Sequence, residues 1–217
     1  MKKLAIIDLL RSLRVGLQLA VLLFLICGQA WATQMPEELV GADADDGYER
    51  NVLDCNEIKD YVCMRYATSG CYYGFYRFTS VPIAQGATID ACTLFVNVDN
   101  ASYDDPNITI HCEDTASATT LDGENTCITS RTRTTANVNW IAEGIETGYK
   151  PSPELKTIVQ EIVNRGDWSS GNDMAFIFVV NDGSAFYTKS YEVTEPAKLH
   201  CWYTVGDGVA SQIIIVH

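Results

Sequence analysis

Cys92-Thr93-Leu94-Phe95-Val96-Asn97-Val98 is the stretch that decides the fold class. Cys92, Leu94, Val96 and Val98 fall on one side of an extended chain; Thr93, Phe95 and Asn97 fall on the other. A period of two marks a strand with one buried face. The pattern recurs outward from this stretch. Ile108, Ile110 and Cys112 alternate with Thr109 and His111, and Leu199, Cys201 and Tyr203 alternate with His200 and Trp202. Tyr72 to Phe78 is rich in aromatics, which suit a pleated, half-buried surface. Val138-Asn139-Trp140 begins another short strand. Met174 to Val180 is apolar throughout, as a central strand covered on both faces would be. Gly, Asp, Asn and Ser clusters punctuate the runs. Together they predict an all-β protein, an antiparallel β-sandwich that is Ig-like or jelly-roll-like.

One segment breaks the period and predicts a short capping α-helix. Ser152 suits an N-cap, Pro153 the first helical position and Glu154 the positive end. Leu155, Ile158, Val159, Ile162 and Val163 form one apolar stripe. Gly166 is expected to end the helix in a left-handed conformation, with Trp168 packed behind that end.

The N-terminus reads as a secretion signal. Lys2, Lys3, Arg11 and Arg14 precede an apolar run, Leu19 to Ile26, that is short for a membrane span. Ala30-Trp31-Ala32 is a small-x-small cleavage pattern. The expected plan is a signal peptide at 1–32, an acidic N-terminal arm at 33–60, a jelly-roll β-sandwich at 61–204 and a C-terminal β-strand tail at 205–217. The mature protein is expected to be secreted, extracellular or at the cell surface, with no membrane contact after cleavage. The net charge of −13 opposes binding to nucleic acid and to anionic lipid.

Eight cysteines are present, and Cys27 lies in the signal. Cys55, Cys63, Cys71, Cys92, Cys112, Cys127 and Cys201 remain, in a compartment that favours disulfides. An odd set leaves one thiol free or bonded to another chain. The candidate pairs are Cys112 with Cys127, Cys92 with Cys201, and two of Cys55, Cys63 and Cys71. Spacing alone does not settle connectivity. No CxxC or HxxxH pattern supports a zinc site. No cofactor is expected beyond a structural calcium ion. Asp43, Asp45 and Asp46 offer oxygen ligands for one, although their spacing is not that of an EF-hand loop.

Nothing in the chain has the spacing of a catalytic centre. His111 and His200 lie on strand faces opposite the core sets, and no G-x-S-x-G elbow exists. A hydrolase working through a carboxylate pair has no motif behind it. Tyr72, Tyr73, Tyr76, Tyr187 and Trp202 are candidates for stacking on sugar rings. Asn100-Ala101-Ser102 and Asn107-Ile108-Thr109 are acceptor patterns for an attached glycan at Asn100 and Asn107. Gln212, Ile213, Ile214, Ile215 and Val216 form a strand apolar on both faces, which wants cover on both. Such a strand either folds back as the last strand of its own sandwich or is donated to a neighbour. Donated head to tail, it would build a filament. The acidic arm could serve the same purpose, and an unpaired cysteine could lock the joint.

An ordered series of pieces carries a family resemblance. It runs through Val81-Pro82-Ile83, Gly86-Ala87-Thr88-Ile89, Ile128-Thr129-Ser130-Arg131-Thr132 and Val138-Asn139-Trp140. It continues with Ser152-Pro153-Glu154-Leu155, the segment Ile158 to Arg165, Trp168, Ser170-Gly171-Asn172 and Pro196-Ala197-Lys198-Leu199-His200. Over about residues 72 to 204 the chain resembles jelly-roll accessory domains of secreted bacterial surface and carbohydrate-active proteins, akin to DNRLRE-type modules. The resemblance implies a non-catalytic module, sometimes carbohydrate-binding, and supplies no ligand residues. Cys92, Cys112 and Cys201 and the segment 205–217 depart from the pattern.

Two functions follow as expectations. The first is a structural subunit of an extracellular filament, whose partner is a second copy of itself. The alternative is a lectin-like module that binds glycans.

Overall fold

A computed structural model describes residues 32–50, 54–56, 61–65, 71–101, 106–121, 127–182, 186–193 and 195–206. Only the backbone is described at 54–56, 71–72, 101 and 186. Nearly all of the expected signal peptide, and the strand Gln212 to Val216, lie outside the described residues. No helix among those described is long and apolar enough to cross a membrane.

Residues 32–205 form one compact unit, a sandwich of two antiparallel sheets. The first sheet holds β1 (Thr33–Gln34), β2 (Glu38–Leu39), β5 (Tyr61–Met64), β7 (Thr88–Ala101), β10 (Gly148–Pro151), β12 (Phe186–Lys189) and β13 (Lys198–Thr204). Its main path runs β1-β13-β7-β12-β5, with β10 added to β7 and β2 to β13. The second sheet holds β3 (Asp46–Arg50), β4 (Asp54–Asn56), β6 (Cys71–Phe78), β8 (Asn107–Cys112), β9 (Val138–Ile141) and β11 (Met174–Asp182), in the order β4-β3-β6-β11-β8-β9. The chain changes sheet at each step from β4 through β8, so neighbours in sequence face one another across the core.

Alternation decides which side chains fill that core. Cys92, Leu94, Val96 and Val98 of β7 are buried against Tyr76, Phe78, Ile108, Ile110, Cys112, Phe176 and Phe178 of the second sheet. Burial of each large side chain contributes roughly 1.5–3 kcal/mol. Gly74 lets β5 come close to β6, because a Cβ there would lie 3.3 Å from Cγ of Met64. β11 is covered on both faces, as its unbroken apolar run predicts. Met174, Phe176, Phe178 and Val180 face the sandwich interior, while Ala175 and Ile177 join Phe75, Ala118, Leu121, Cys127 and Ile128 in a second cluster on the outer side.

Buried polar groups tie the cover over that outer side. Glu49, fully buried, accepts hydrogen bonds from the backbone N–H groups of Ile128 (2.7 Å) and Thr129 (2.8 Å) and from the Thr129 hydroxyl (2.7 Å). Arg77 donates to the carbonyl of Ala118 (2.9 Å), to Asp173 Oδ2 (2.5 Å) and to Asp45. Arg131 lies over the Phe75 ring, 4.6 Å from its centroid.

Several expectations need correction. Residues 33–50 contribute strands to the sandwich itself. β1 and β2 pair with β13, and β3 pairs with β6 in the same chain. The helix, α1 (Lys156–Val163), starts later than Ser152 predicts. Ser152 Oγ accepts from the Leu94 N–H instead (3.1 Å), and Glu154 Oε1 accepts from the N–H groups of Cys92 (2.7 Å) and Lys156 (2.9 Å). Bonding to β7 outcompetes local capping here. Gly166 does not take a left-handed conformation at the helix end. Trp168 is buried as expected and donates its indole N–H to the Ile83 carbonyl (2.9 Å).

Cys92 and Cys201 form a disulfide across β7 and β13, where they are register partners. The expected bond between Cys112 and Cys127 is absent. Cys112 is a free thiol in the sandwich interior, whereas Cys127 packs on the opposite face of the second sheet and is disulfide-bonded elsewhere. Cys63 is also disulfide-bonded, and the side chains of Cys55 and Cys71 lie outside the described residues. Burial pushes the Cys112 thiol well above its ordinary range, so it neither locks a joint between chains nor reacts readily. Iodoacetamide should leave Cys112 unlabelled in native buffer and label it fully in guanidinium, as peptide mass mapping would show. Rapid native labelling would mean that the core opens.

Candidate functional site

The solvent face of the first sheet carries an aromatic platform. On β7 and β13, residues opposite one another share a face: Phe95 opposite Lys198, Thr93 opposite His200, and Ala91 opposite Trp202. Each large ring faces a smaller or more flexible partner, so the rings lie over the sheet. Pro151 flanks Phe95 on its other side, and Tyr149 of β10 lies opposite Asn97. Phe95, Tyr149, His200 and Trp202 are all partly exposed. The ring centroids of Phe95 and His200 are 5.0 Å apart, and those of His200 and Trp202 are 6.4 Å apart. Lys198 Nζ sits 4.5 Å from the centroid of the Tyr149 ring.

Polar groups sit beside the rings. Glu37 Oε2 lies 2.6 Å from His200 Nε2, and its Oε1 lies 3.3 Å from Lys198 Nζ. The hydrogen bond from His200, helped by Lys198, holds the Glu37 carboxyl below its usual range, so it stays ionised in neutral solution. Tyr149 donates its hydroxyl to the Pro196 carbonyl (2.9 Å), which fixes the ring's tilt. Thr204 donates to Asp90 (2.7 Å) at one end of the platform. A carboxylate, an imidazole and an ammonium thus border a cluster of rings tilted to one another by 54° (Phe95 and His200) and 69° (His200 and Trp202). That combination can stack on an apolar ring and bond its hydroxyl groups.

A concavity of about 310 Å³ lies at the connection between β9 and β10, bordered by Ile141, Glu143, Ile145, Glu146 and Lys150. Trp140 at its floor packs edge-on against Phe178 and belongs to the core. It presents no open ring face.

No family model matches the chain, and no curated protein matches it. Among solved structures it is similar to CBM28, a carbohydrate-binding module specific for non-crystalline cellulose. The TM-score is 0.31 and the identity 10%, over 68% of this chain and 80% of that one. So slight an overlap carries over no ligand and no residue role.

The structure scatters the expected sugar-stacking residues. Trp202 lies on the platform. Tyr76 is fully buried and shares a short hydrogen bond with Thr188 inside the sandwich, so it has no face to offer. Tyr187 packs edge-to-face on Tyr61 against the core. Tyr73 lies on the outer side of the second sheet under Arg133. The Tyr72 side chain lies outside the described residues. His111 and His200 are in different sheets and cannot cooperate. Asn100 is exposed at the end of β7 and Asn107 is partly buried at the start of β8, and the chain between 102 and 105 is not described. Asp45 pairs with Arg77, and among the described residues no three His, Cys, Asp or Glu side chains are grouped as metal ligands.

Phe95, Tyr149, Glu37 and Lys198 were not singled out by their sequence. One local signal exists: Phe95 and Trp202 are large apolar residues at outward positions of alternating strands. Such a position has no core to fill, so an apolar residue there marks a surface built for contact.

Proposed function

We propose that the protein is a non-catalytic module that binds an uncharged polysaccharide across the platform of Phe95, Tyr149, His200 and Trp202. The observation that carries this reading is the cluster of neighbouring, partly exposed rings of Phe95, His200 and Trp202, edged by Glu37 and Lys198. Aromatic faces take the C–H faces of sugar rings, and the bordering groups take hydroxyls. The net charge of −13 disfavours acidic glycans. A flat sheet face suits an extended chain of sugars better than a single small molecule.

The test is affinity electrophoresis against a panel of soluble neutral polysaccharides. Wild type should be retarded by at least one of them. Trp202→Ala should weaken that binding at least about 10-fold, since a central aromatic anchor contributes roughly 2 kcal/mol or more. Its melting temperature should stay within about 3 °C of wild type, because Trp202 is on the surface and its loss costs little stability. Unchanged retardation in the variant, or none in wild type across the panel, would refute the reading.

The filament reading draws no comparable support. Its strand, Gln212 to Val216, lies outside the described residues, and the free side of β13 is already covered by β1 and β2.

A further inference from the structure

Buried carboxylates normally find donors, since an unpaired buried charge is costly. Asp46 and Glu192 break that rule together. Asp46 is fully buried at the start of β3, and its Oδ1 has no hydrogen-bond partner. Both carboxylate oxygens of Glu192 are shut off from solvent and equally without partners. Asp46 opens β3 of one sheet, Glu192 lies in the turn that follows β12 of the other, and Glu192 is the strongest charge acting on Asp46. The turn holding Glu192 is fixed over Asp46. The Tyr191 N–H donates to Asp46 Oδ2 (3.0 Å), and the Val193 N–H donates to the Ser190 carbonyl (3.3 Å). No cation is among the charges that act on Asp46, and Arg77 of the neighbouring strand is committed to Asp45 and Asp173.

We propose that Asp46 and Glu192 form a binding site for a divalent cation of the calcium type. Three carboxylate oxygens without donors, shut off from solvent where β3 meets the turn after β12, are hard ligands for a hard ion. Two free oxygens on one Glu allow bidentate binding, which suits calcium better than the strict octahedron of magnesium. No three His, Cys, Asp or Glu side chains are grouped as metal ligands among the described residues. Backbone carbonyls and water therefore complete the shell. A bound ion would join β3 of one sheet to the end of β12 in the other.

The protein is stripped with EDTA, dialysed, and melted with and without 5 mM calcium chloride at about pH 7.5. Calcium should raise the melting temperature by roughly 5 °C or more, as a ligand specific to the folded state does. Equilibrium dialysis should find about one calcium ion per chain. Glu192→Gln and Asp46→Asn should each lose the shift and the bound ion, while both still melt cooperatively. Absence of bound calcium in wild type would overturn the proposal, as would calcium retained by both variants. A third result would overturn it too: no calcium response, with stability climbing as pH falls from about 8. Burial and the charges of Glu192, Asp45 and Asp43 push Asp46 up to about 8. A group raised in the folded state favours folding at low pH and loses that contribution as pH rises through its folded value. That outcome would assign the pair a shared proton.

Discussion

Replacing Cys92 and Cys201 together by alanine should lower the free energy of unfolding by roughly 4–5 kcal/mol. The bond links residues 109 apart in sequence, so it removes a large share of the unfolded chain's freedom. It joins neighbouring strands that already pair, so its loss leaves the native ladder intact and acts on the unfolded state. Urea titration should therefore show a lower midpoint and a steeper slope, because the unfolded chain expands. The melting temperature should fall by roughly 10 °C or more for a domain of this size. A loss under about 1 kcal/mol would show that the unfolded chain stays compact without the bond.

Arg77→Met should cost nearly as much, roughly 3–5 kcal/mol, for an unrelated reason. The guanidinium serves two carboxylates and one carbonyl, and Asp45 is only 2% exposed. Methionine fills the space but leaves Asp45 charged and buried without a partner. The double variant Arg77→Met with Asp45→Asn should recover part of the loss, since it removes the stranded charge. Equal stabilities of the single and double variants in guanidinium titrations would show that Asp45 reaches water in the folded state. Because Arg77 also holds Ala118, the single variant should loosen the cover over Phe75 and Ile177, which hydrogen exchange between 115 and 130 would detect.

Strand identity was readable from the chain because a period of two is local. Each of the segments starting at Cys92, Ile108 and Leu199 announces its own buried face within a few residues, and the unbroken apolar run from Met174 announces two. The helix stripe was equally plain at Ile158, Val159, Ile162 and Val163, all of which are buried. Its start was misread because Ser152 found a better partner in Leu94, a residue on a strand distant in sequence. The segment from 33 to 60 read as an arm because acidic residues usually face water. Here Glu49 and Asp45 are buried by donors from Ile128, Thr129 and Arg77, which no local pattern reveals.

Sequence alone determined which side of each strand is apolar, and hence that two sheets must close over a shared core. It also determined that Cys92 and Cys201 point inward together. Only the tertiary structure decided who meets on the outside. Phe95 meets His200, His200 meets Trp202, and the turn after β12 meets Asp46, because register and sheet order place distant segments side by side. Inward placement is dictated residue by residue by water's exclusion of apolar surface. Outward neighbours are set by pairing between segments a hundred residues apart, and no short-range pattern encodes that choice.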